Sequence, residues 1–274
     1  MPELPEVETV RNVLKKWVLG KTISDASIFY EKVIENMKFN EFKIKIVNQK
    51  INDINRKGKY LLFVLDDYVL LSHLRMEGKY YLVNSEKLDE KTNKHKIISF
   101  LLDDGSTLLY HDVRKFGKMK LLNKNHYLED ESLKKLGKEP FEMTKEELYV
   151  KIQNSNKPIK ELLLDQSNIA GLGNIYVDEV LFLSKISPLR KGKQINENEC
   201  KIIVDNSISV LNKAIQLGGS TIKSYHSGNK VDGMFQKELN VYGKKGEKCS
   251  CCGKTIEKIV VGGRGTHYCS NCQK

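Results

Sequence analysis

The sequence predicts an α+β protein of several domains: an N-terminal β-sandwich with flanking helices, then a helical domain, then a cysteine-rich β-hairpin. Three observations lead to this fold class. Short β-rich runs fill residues 21–122, and apolar residues recur at helical spacing beyond residue 140. Five of the six cysteines fall within the last 26 of the 274 residues.

The N-terminal region is predicted to start with a helix and to continue as strands. Apolar residues recur at helical spacing after Pro5, and Gly20 is a stop signal. The apolar positions are Val7, Val10, Val13, Leu14, Trp17 and Val18. The runs FKIKIV, YLLFVL, YVLLSHL, YYLV, IISFLL, STLLY and KMKLL each predict a strand. Turn residues at 66–67 and 103–105 indicate hairpins and favour an antiparallel β-sandwich, with a polar loop at 84–96.

The polar segment at residues 123–140 predicts a domain boundary, and helices follow it. Four helices are expected at 144–152, at 158–165, after Gly173 and at 196–217. Thr144 and Glu147 have the spacing of a capping box. Residues 220–237 show no period and are expected to form a mobile loop.

Charge and hydropathy limit the class of partner. The formal net charge is +11, and the pI is about 9.2. This balance favours an anionic partner, with nucleic acid first and a membrane surface second. No run approaches the ~20 apolar residues of a membrane span, and the first residues do not form a secretory signal. A cytoplasmic protein is therefore expected.

The C-terminal cysteines have the spacing of a zinc site. Two CxxC pairs are separated by 16 residues; they are formed by Cys249, Cys252, Cys269 and Cys272. This pattern matches one tetrahedral zinc ion, and four thiolates leave no position for water, so the zinc is expected to be structural. Two labile disulfides are the competing interpretation, which a cytoplasmic chain disfavours.

The residues around this cysteine pattern complete the predicted module. Two β-like runs flank Gly262 and Gly263, so the hairpin should be held at its base by zinc and should present Arg264 at its tip. Cys251 is expected to be a spectator. Cys200 is expected to pack inside a helix.

The N-terminus offers a candidate nucleophile. Removal of Met1 would expose Pro2 as a secondary amine, and an α-amino group titrates near ~7.7–8.0. Attack of such an amine on a sugar C1′ gives an iminium ion, which is an electron sink for elimination. Glu3 and Glu6 place carboxylates beside the amine for proton transfer. The alternative is an ordinary helix start with acidic residues at the positive end of the helix dipole.

Taken together, the motifs resemble the formamidopyrimidine-DNA glycosylase family of bacterial 8-oxoguanine DNA glycosylases and AP lyases. The matching strings are PELPEVET (2–9), RKGKYL (56–61), SHLRMEGKY (72–80), DVRKFG (112–117), AGLGNIYVDEVLF (170–182), ELNVYGKKGEKC (238–249) and GRGTHYC (263–269). They cover essentially the whole chain in family order. The resemblance implies a catalytic β-sandwich domain at 2–134, a helix–two-turns–helix DNA-binding domain at 139–237 with a lesion-capping loop at 220–237, and a zinc-finger hairpin at 238–274.

The resemblance also implies residue roles. Pro2 corresponds to the Schiff-base nucleophile and Glu3 to the proton donor in glycosidic cleavage. Lys59 corresponds to a lysine that binds phosphate and assists elimination, and Arg264 to the arginine that grips phosphate and assists δ-elimination. The implied DNA-binding and substrate-binding residues are Glu6, Met76, His95, Arg114, Phe116, Lys157, Lys160, Asn174 and Tyr242, of which Met76, Arg114 and Phe116 fill the hole left by a flipped nucleotide.

The implied activity is excision of oxidised purines, 8-oxoguanine and formamidopyrimidines, followed by strand cleavage through β,δ-elimination. The implied partner is double-stranded DNA holding oxidised purines or abasic sites, bound by a monomer in the bacterial cytoplasm, at the nucleoid, without a membrane. Three positions depart from the family pattern: Ile97, where a second histidine is expected after His95, and also His111 and Met234.

Two alternatives remain open from the sequence. The related endonuclease VIII type prefers oxidised pyrimidines, and the opening LPEVET string together with the Met76, Arg114 and Phe116 set favours the purine enzyme. A non-catalytic zinc-containing DNA-binding protein would share the charge, the hairpin and the helical domain. The chemistry at the N-terminus separates this second alternative from an enzyme.

Overall fold

The computed structural model describes residues 1–84, 94–220 and 233–274. The chain forms two compact units. The first contains Met1–Lys134 together with Ser220–Gly233, of which Ser220 and Gly233 are described. The second contains Lys135–Gly219 and Met234–Lys274. Among the described residues, no helix is both long enough and apolar enough to cross a membrane.

The described part of the first unit combines helices with two antiparallel sheets. Its helices are α1 (Leu4–Val18), α2 (Phe39–Ile46) and α3 (Glu131–Lys134). Its strands are β1 (Ile23–Ile28), β2 (Asp53–Lys57), β3 (Tyr60–Val64), β4 (Tyr68–His73), β5 (Lys79–Asn84), β6 (Lys96–Leu102), β7 (Ser106–His111) and β8 (Lys118–Asn123). One sheet has the order β1-β6-β7-β5, and the other has the order β2-β3-β4-β8.

The two sheets pack face to face around one core. The Phe63 ring of β3 lies 5.5 Å from the Tyr80 ring of β5, and the Tyr80 hydroxyl donates to Ser72 Oγ of β4 at 2.8 Å. Apolar residues of α1, α2 and both sheets join the same buried cluster. The predicted β-sandwich with flanking helices is therefore confirmed.

One predicted strand is wrong. The run FKIKIV lies mainly in helix α2, not in a strand. Its alternation suggested that Phe42, Ile44 and Ile46 share one face, but Ile44 is 81% exposed, whereas Phe42 and Ile46 are fully buried. Residues four positions apart lie on one face of a helix, so the core selected the helical period. Conversely, the sequences of β1 and β2 are too polar to be recognised as strands. They form strands because β6 pairs with β1 and β3 pairs with β2.

The second unit contains the predicted helices and the hairpin. Its helices are α4 (Lys145–Ile152), α5 (Ile159–Leu164), α6 (Asn174–Leu183) and α7 (Glu197–Gln216). Strands β9 (Glu257–Val261) and β10 (Arg264–Tyr268) pair antiparallel. The capping box at the start of α4 is confirmed, because Glu147 N donates to Thr144 Oγ1 at 3.3 Å and Thr144 N donates to Glu147 Oε2 at 3.1 Å.

Two predicted loops fall partly outside the described residues. In the segment 84–96, residues 85–93 are outside them, while Asn84 ends β5 and Lys96 begins β6. In the segment 220–237, residues 221–232 are outside them, and Phe235–Lys237 forms a short 3-10 turn.

Candidate active site and metal centre

The first turn of α1 holds two buried carboxylates. Glu3 immediately precedes the helix and is 2% exposed, and Glu6 lies in the first turn and is 5% exposed. Glu3 N donates to Glu6 Oε2 at 2.8 Å. Pro5, the second residue of the helix, has a backbone angle that suits the first turn and no N–H group to satisfy. The sequence therefore fixes both carboxylates close to the chain start.

The terminal amine lies within the electrostatic field of the predicted catalytic residues. Burial is the main cause that lowers the pKa of the Met1 amine from its ordinary value of 8.0. The carboxylates of Glu3 and Glu6 raise this pKa, and the ammonium group of Lys59 lowers it. Pro2, whose nitrogen becomes the terminal amine once Met1 is removed, is itself buried. The structure thus brings the amine, both carboxylates and Lys59 together.

Lys59 is placed by the tight turn between β2 and β3. Gly58 has a φ of +56°, which glycine adopts without the strain that a side chain would add. Arg56 donates to the Gly58 carbonyl at 3.0 Å and to Glu8 Oε2 of α1 at 2.9 Å. This pair ties the hairpin to α1 beside the chain start. Sequence reasoning assigned no role to Arg56 or Glu8, although both lie inside the family-like strings.

Glu6 connects α1 to the beginning of the predicted capping loop. Its Oε1 accepts a hydrogen bond from Ser220 N at 2.8 Å and one from Ser220 Oγ at 3.2 Å. Its Oε2 holds the backbone of Glu3. Both carboxylate oxygens therefore accept hydrogen bonds from the protein itself.

His73 has a structural role. Its Nδ1 accepts a hydrogen bond from Arg75 N at 2.9 Å, and its ring packs edge-on against Tyr60 at 4.6 Å. Burial, with smaller effects from the charges of Arg75 and Lys59, lowers the pKa of His73 to about 3. The imidazole is therefore neutral near pH 7 and is not an acid there.

The three predicted duplex-filling residues lie on two loops of the first unit. Met76 is half-buried in loop 74–78, which follows β4. Arg114 and Phe116 are exposed on loop 112–117, which joins β7 to β8. The Arg114 guanidinium lies 4.8 Å from the centre of the Phe116 ring, so the two side chains stack.

His95 lies beside the second of these loops. Its carbonyl accepts a hydrogen bond from Asp112 N at 3.1 Å. Its ring meets the ring of His111 edge-to-face at 5.4 Å. The unexpected His111 is thus a packing partner of His95.

In the second unit, the N-terminal part of α6 contacts the hairpin. Gly173 caps α6, and Asn174 is its first residue. Asn174 Nδ2 donates to the carbonyl of Gly265, the residue after Arg264, at 3.0 Å. Arg264 is exposed and directly follows the glycine turn, opposite Val261, as predicted.

The predicted contact of Lys160 with DNA requires correction. Lys160 is 0% exposed, and its Nζ lies 2.6 Å from Oδ1 of Asp178, which is 1% exposed. Nζ also donates to the Gly265 carbonyl at 3.1 Å. The ammonium group is enclosed within the protein. It is paired with the Asp178 carboxylate because a buried cation needs an anion beside it. Lys157, three residues earlier, is exposed and can face a phosphate.

A second buried carboxylate of α6 holds the segment that contains Tyr242. Glu179 Oε1 accepts hydrogen bonds from Val241 N and Tyr242 N, each at 2.9 Å. Glu179 Oε2 accepts from Asn240 N at 2.7 Å. The Tyr242 ring packs edge-on against the His267 ring at 5.0 Å. Sequence reasoning missed Asp178 and Glu179, whose only sequence signal is two acids within an otherwise apolar helix.

The four predicted cysteines form a metal centre. Their sulfur atoms all lie within 4.8 Å of one another. Two of the pairs, Cys249 with Cys272 and Cys252 with Cys269, are 3.8 and 3.5 Å apart. Ligands at the usual Zn–S length of about 2.3 Å in a tetrahedron are about 3.8 Å apart, so the residues fit one zinc ion. When bound, zinc cross-links the base of the hairpin.

The other two cysteines are outside this cluster. Cys251 is exposed and is not among the clustered thiols. Cys200 is buried in α7, and burial raises its pKa to about 12, so it packs as a neutral thiol. Both expectations are confirmed.

Comparison with known proteins decides the family. Residues 1–119 match the model of the formamidopyrimidine-DNA glycosylase N-terminal domain, and residues 136–226 match the H2TH domain of the same enzymes. Residues 246–274 match the zinc finger found in FPG and IleRS. The formamidopyrimidine-DNA glycosylase of Bacillus cereus is 49% identical over 276 residues, covering 100% of this chain and 99% of the relative.

The chain belongs to the formamidopyrimidine-DNA glycosylase (Fpg) family. The Fpg of Halalkalibacterium halodurans is 48% identical, with 100% of both chains covered. Among solved structures, a Lactococcus lactis Fpg mutant bound to Fapy-dG DNA aligns over 100% of both chains with a TM-score of 0.93 and 44% identity. MutM bound to DNA containing carbocyclic 8-oxo-G aligns equally completely, with a TM-score of 0.91 and 43% identity. This member of the family is therefore a DNA glycosylase with one structural zinc site.

Proposed function

We propose that this enzyme excises oxidised purines, 8-oxoguanine and formamidopyrimidines, from double-stranded DNA and then cleaves the strand at the resulting abasic site. The carrying observation is the burial of Pro2 beside the buried side chains of Glu3, Glu6 and Lys59, whose charges all act on the amine at the chain start. Relatives crystallised with Fapy-dG, 8-oxo-G and abasic-site DNA support this substrate class. We further propose that the enzyme acts as a monomer in the bacterial cytoplasm, on the DNA of the nucleoid.

The proposed chemistry starts at Pro2. Its neutral nitrogen attacks C1′ of the flipped nucleotide, the glycosidic bond breaks, and the base leaves with the proton that the Pro2 nitrogen loses. Glu3 donates a proton to the sugar ring oxygen as the ring opens, which leaves a cationic iminium on C1′. Loss of a C2′ proton to water then expels the 3′ phosphate, and loss of the C4′ proton to water expels the 5′ phosphate. Lys59 and Arg264 are assigned to the phosphates, where their charge favours the leaving groups.

The remaining predicted residues are assigned to DNA binding. Met76, Arg114 and Phe116 form the wedge that enters the space left by the flipped nucleotide. Glu6 positions the flipped nucleotide, and His95, Lys157, Asn174 and Tyr242 bind phosphate. Lys160 is removed from this set because it is buried.

The proposed domains are 2–134 (catalytic), 139–237 (helix–two-turns–helix, with the capping loop 220–237) and 238–274 (zinc finger). The family-model matches at 1–119, 136–226 and 246–274 support this assignment.

A borohydride trap tests the covalent step. The processed enzyme is incubated with a duplex that contains 8-oxoguanine opposite cytosine, borohydride is added, and the linked residue is mapped by mass spectrometry. A covalent adduct on Pro2 is expected. A variant with one extra residue between Met1 and Pro2 is the control and should give no adduct, because its secondary amine is lost. Linkage to an internal lysine, or no linkage, contradicts the proposal.

A second duplex separates the two glycosylase classes. A duplex that contains thymine glycol is expected to be cleaved much more slowly than the 8-oxoguanine duplex. The reverse preference would assign the enzyme to oxidised pyrimidines instead.

A further inference from the structure

Loop 112–117, which contains two of the three wedge residues, is organised by one buried carboxylate. Asp112 is 1% exposed. Its Oδ1 accepts a hydrogen bond from Arg114 N at 2.9 Å, and its Oδ2 accepts one from Gly117 N at 2.7 Å. Its carbonyl accepts from Lys115 N at 3.3 Å. One side chain therefore holds the loop backbone on both sides of Phe116.

The loop backbone is held in a conformation that most residues avoid. Lys115 lies between Arg114 and Phe116 and has a φ of +56°, in the left-handed region. Arg75, beside Met76 in the other wedge loop, has a φ of +52°. Side chains other than glycine keep such angles only where surrounding contacts impose them. The hydrogen bonds that the Asp112 carboxylate accepts, and the one that His73 Nδ1 accepts from Arg75 N, supply such contacts.

A single tyrosine contacts both wedge loops. Tyr110, at 0% exposure, packs its hydroxyl end against Gly78 and Gly117, the last residues of the two loops. A Cβ atom added to Gly78 would lie 2.1 Å from the Tyr110 oxygen, and one added to Gly117 would lie 1.8 Å from it. Both glycines are therefore required for the approach of this ring, which sets the spacing of the loops.

We propose that Tyr110 and Asp112 are positioning residues that hold the Met76 loop and the Arg114–Phe116 loop in the conformation that enters the DNA duplex. This inference rests on the proposed function, because it assumes that these three side chains form the wedge. A wedge that is already ordered replaces the stacking lost on base flipping, and no conformational entropy is lost at that moment in ordering the two loops. Neither positioning residue touches the substrate in this account.

The test compares substrates that differ in the cost of flipping. Asp112→Asn places an amide group where two backbone N–H groups need acceptors, so one of these hydrogen bonds is lost. Single-turnover excision from an 8-oxoguanine:cytosine duplex should slow by about tenfold or more. Cleavage of the same duplex with a preformed abasic site should slow much less, because an abasic nucleotide has no base to unstack. Asp103→Asn, in an exposed hairpin turn, is the matched control and should leave both rates unchanged.

Two further measurements separate positioning from general stability. A 2-aminopurine opposite the lesion should become less fluorescent in the Asp112→Asn complex than in the wild-type complex, because less wedge insertion means less unstacking. Gly117→Ala should cause the same selective loss, and Tyr110→Phe in the same chain should recover part of it by removing the oxygen that the new Cβ meets. Equal slowing on both duplexes, or no slowing on either, would overturn the inference. Failure of wild-type enzyme on 8-oxoguanine would instead refute the proposed function.

Discussion

Glu3 and Glu6 are chemically identical but differ in their surroundings. Both oxygens of Glu6 accept hydrogen bonds, one from the Glu3 backbone and one from Ser220. Glu6 therefore holds both the backbone of the chain start and Ser220, the last residue described before the segment 221–232. Glu3 immediately precedes the helix, in the field of the terminal amine, and is the carboxylate assigned to proton transfer.

Replacing Glu3 by glutamine removes the proposed proton donor and keeps its shape. Base excision from an 8-oxoguanine duplex should fall by about a hundredfold or more, the range of general acid catalysis. The Kd for the same duplex should change by less than about threefold, since no phosphate contact is lost. Single-turnover kinetics and fluorescence anisotropy measure the two quantities. A parallel loss of excision and binding would indicate a structural role for Glu3.

The pKa of the terminal amine predicts a pH profile. Burial lowers the pKa of the Met1 amine, and we expect the same direction for the Pro2 amine that takes its place at the chain start. Since the attacking species is the neutral amine, the midpoint of adduct formation should lie at lower pH, below about 8. The positive charge of Lys59 contributes to this lowering, so Lys59→Met should move the midpoint upward. Lys57→Met, in the same hairpin, should leave it in place. The measurement is the rate of borohydride-trapped adduct on abasic-site DNA from pH 5 to 9; identical midpoints in all three proteins would contradict this account.

At the scale of elements, α6 is the scaffold of the second unit. Consecutive buried acids on this helix hold two different segments: Asp178 accepts from His267 N of β10 at 2.8 Å, and Glu179 accepts from the backbone of residues 240–242. Lys160 of α5 completes the network by binding both Asp178 and the Gly265 carbonyl. Helices α5 and α6 thereby hold the strand that presents Arg264.

Removing the charge of Lys160 should release the hairpin. Lys160→Met leaves Asp178 buried without its cation, which costs on the order of 3–5 kcal/mol. We expect a lower unfolding temperature and faster zinc loss to a chelator, measured by calorimetry and by a colorimetric zinc indicator. The exposed Lys157→Met is the matched control, with little effect on either. Adding Asp178→Leu to Lys160→Met should recover part of the stability; wild-type stability of the single variant would show that the ion pair is dispensable.

The zinc site gives a second test at this scale. Cys252→Ser removes a ligand of the cluster, so the hairpin should lose its metal and its order, and DNA binding should weaken. Cys251→Ser changes the neighbouring exposed thiol and should retain one zinc per chain and full binding. Zinc content by atomic emission and Kd by anisotropy report the outcome. Unchanged DNA binding by zinc-free protein would exclude this role for the hairpin.

At the scale of the whole molecule, the dominant property is charge. The excess of 46 basic over 35 acidic residues attracts a polyanion whatever its sequence. Binding to undamaged DNA should therefore weaken steeply with salt, because each neutralised phosphate releases condensed cations. In the proposed function, the wedge residues and the catalytic residues add the specific recognition of the lesion.

The slope of log K against log salt reports how many DNA phosphates the protein neutralises. Lys157→Ala should reduce the slope of log K against log salt by about one, because an exposed lysine that binds phosphate is lost. Lys201→Ala is the control: this lysine is paired with Asp205 on α7 and should leave the slope unchanged. Titrations with an undamaged duplex at several salt concentrations measure both. Equal slopes in all three proteins would remove Lys157 from the DNA-binding set.

The sequence by itself determined the features that depend on local chemistry. The zinc site follows from cysteine spacing, the start of α4 from Thr144 and Glu147, and the family from long motif strings. Tertiary structure decided the rest. The run FKIKIV alternates like a strand, but it forms a helix because the core buries its helical face. Lys160 has the sequence context of a surface lysine, but it is buried because the fold places Asp178, 18 residues away, beside it. Burial and pairing depend on contacts between distant parts of the chain, which no local pattern encodes.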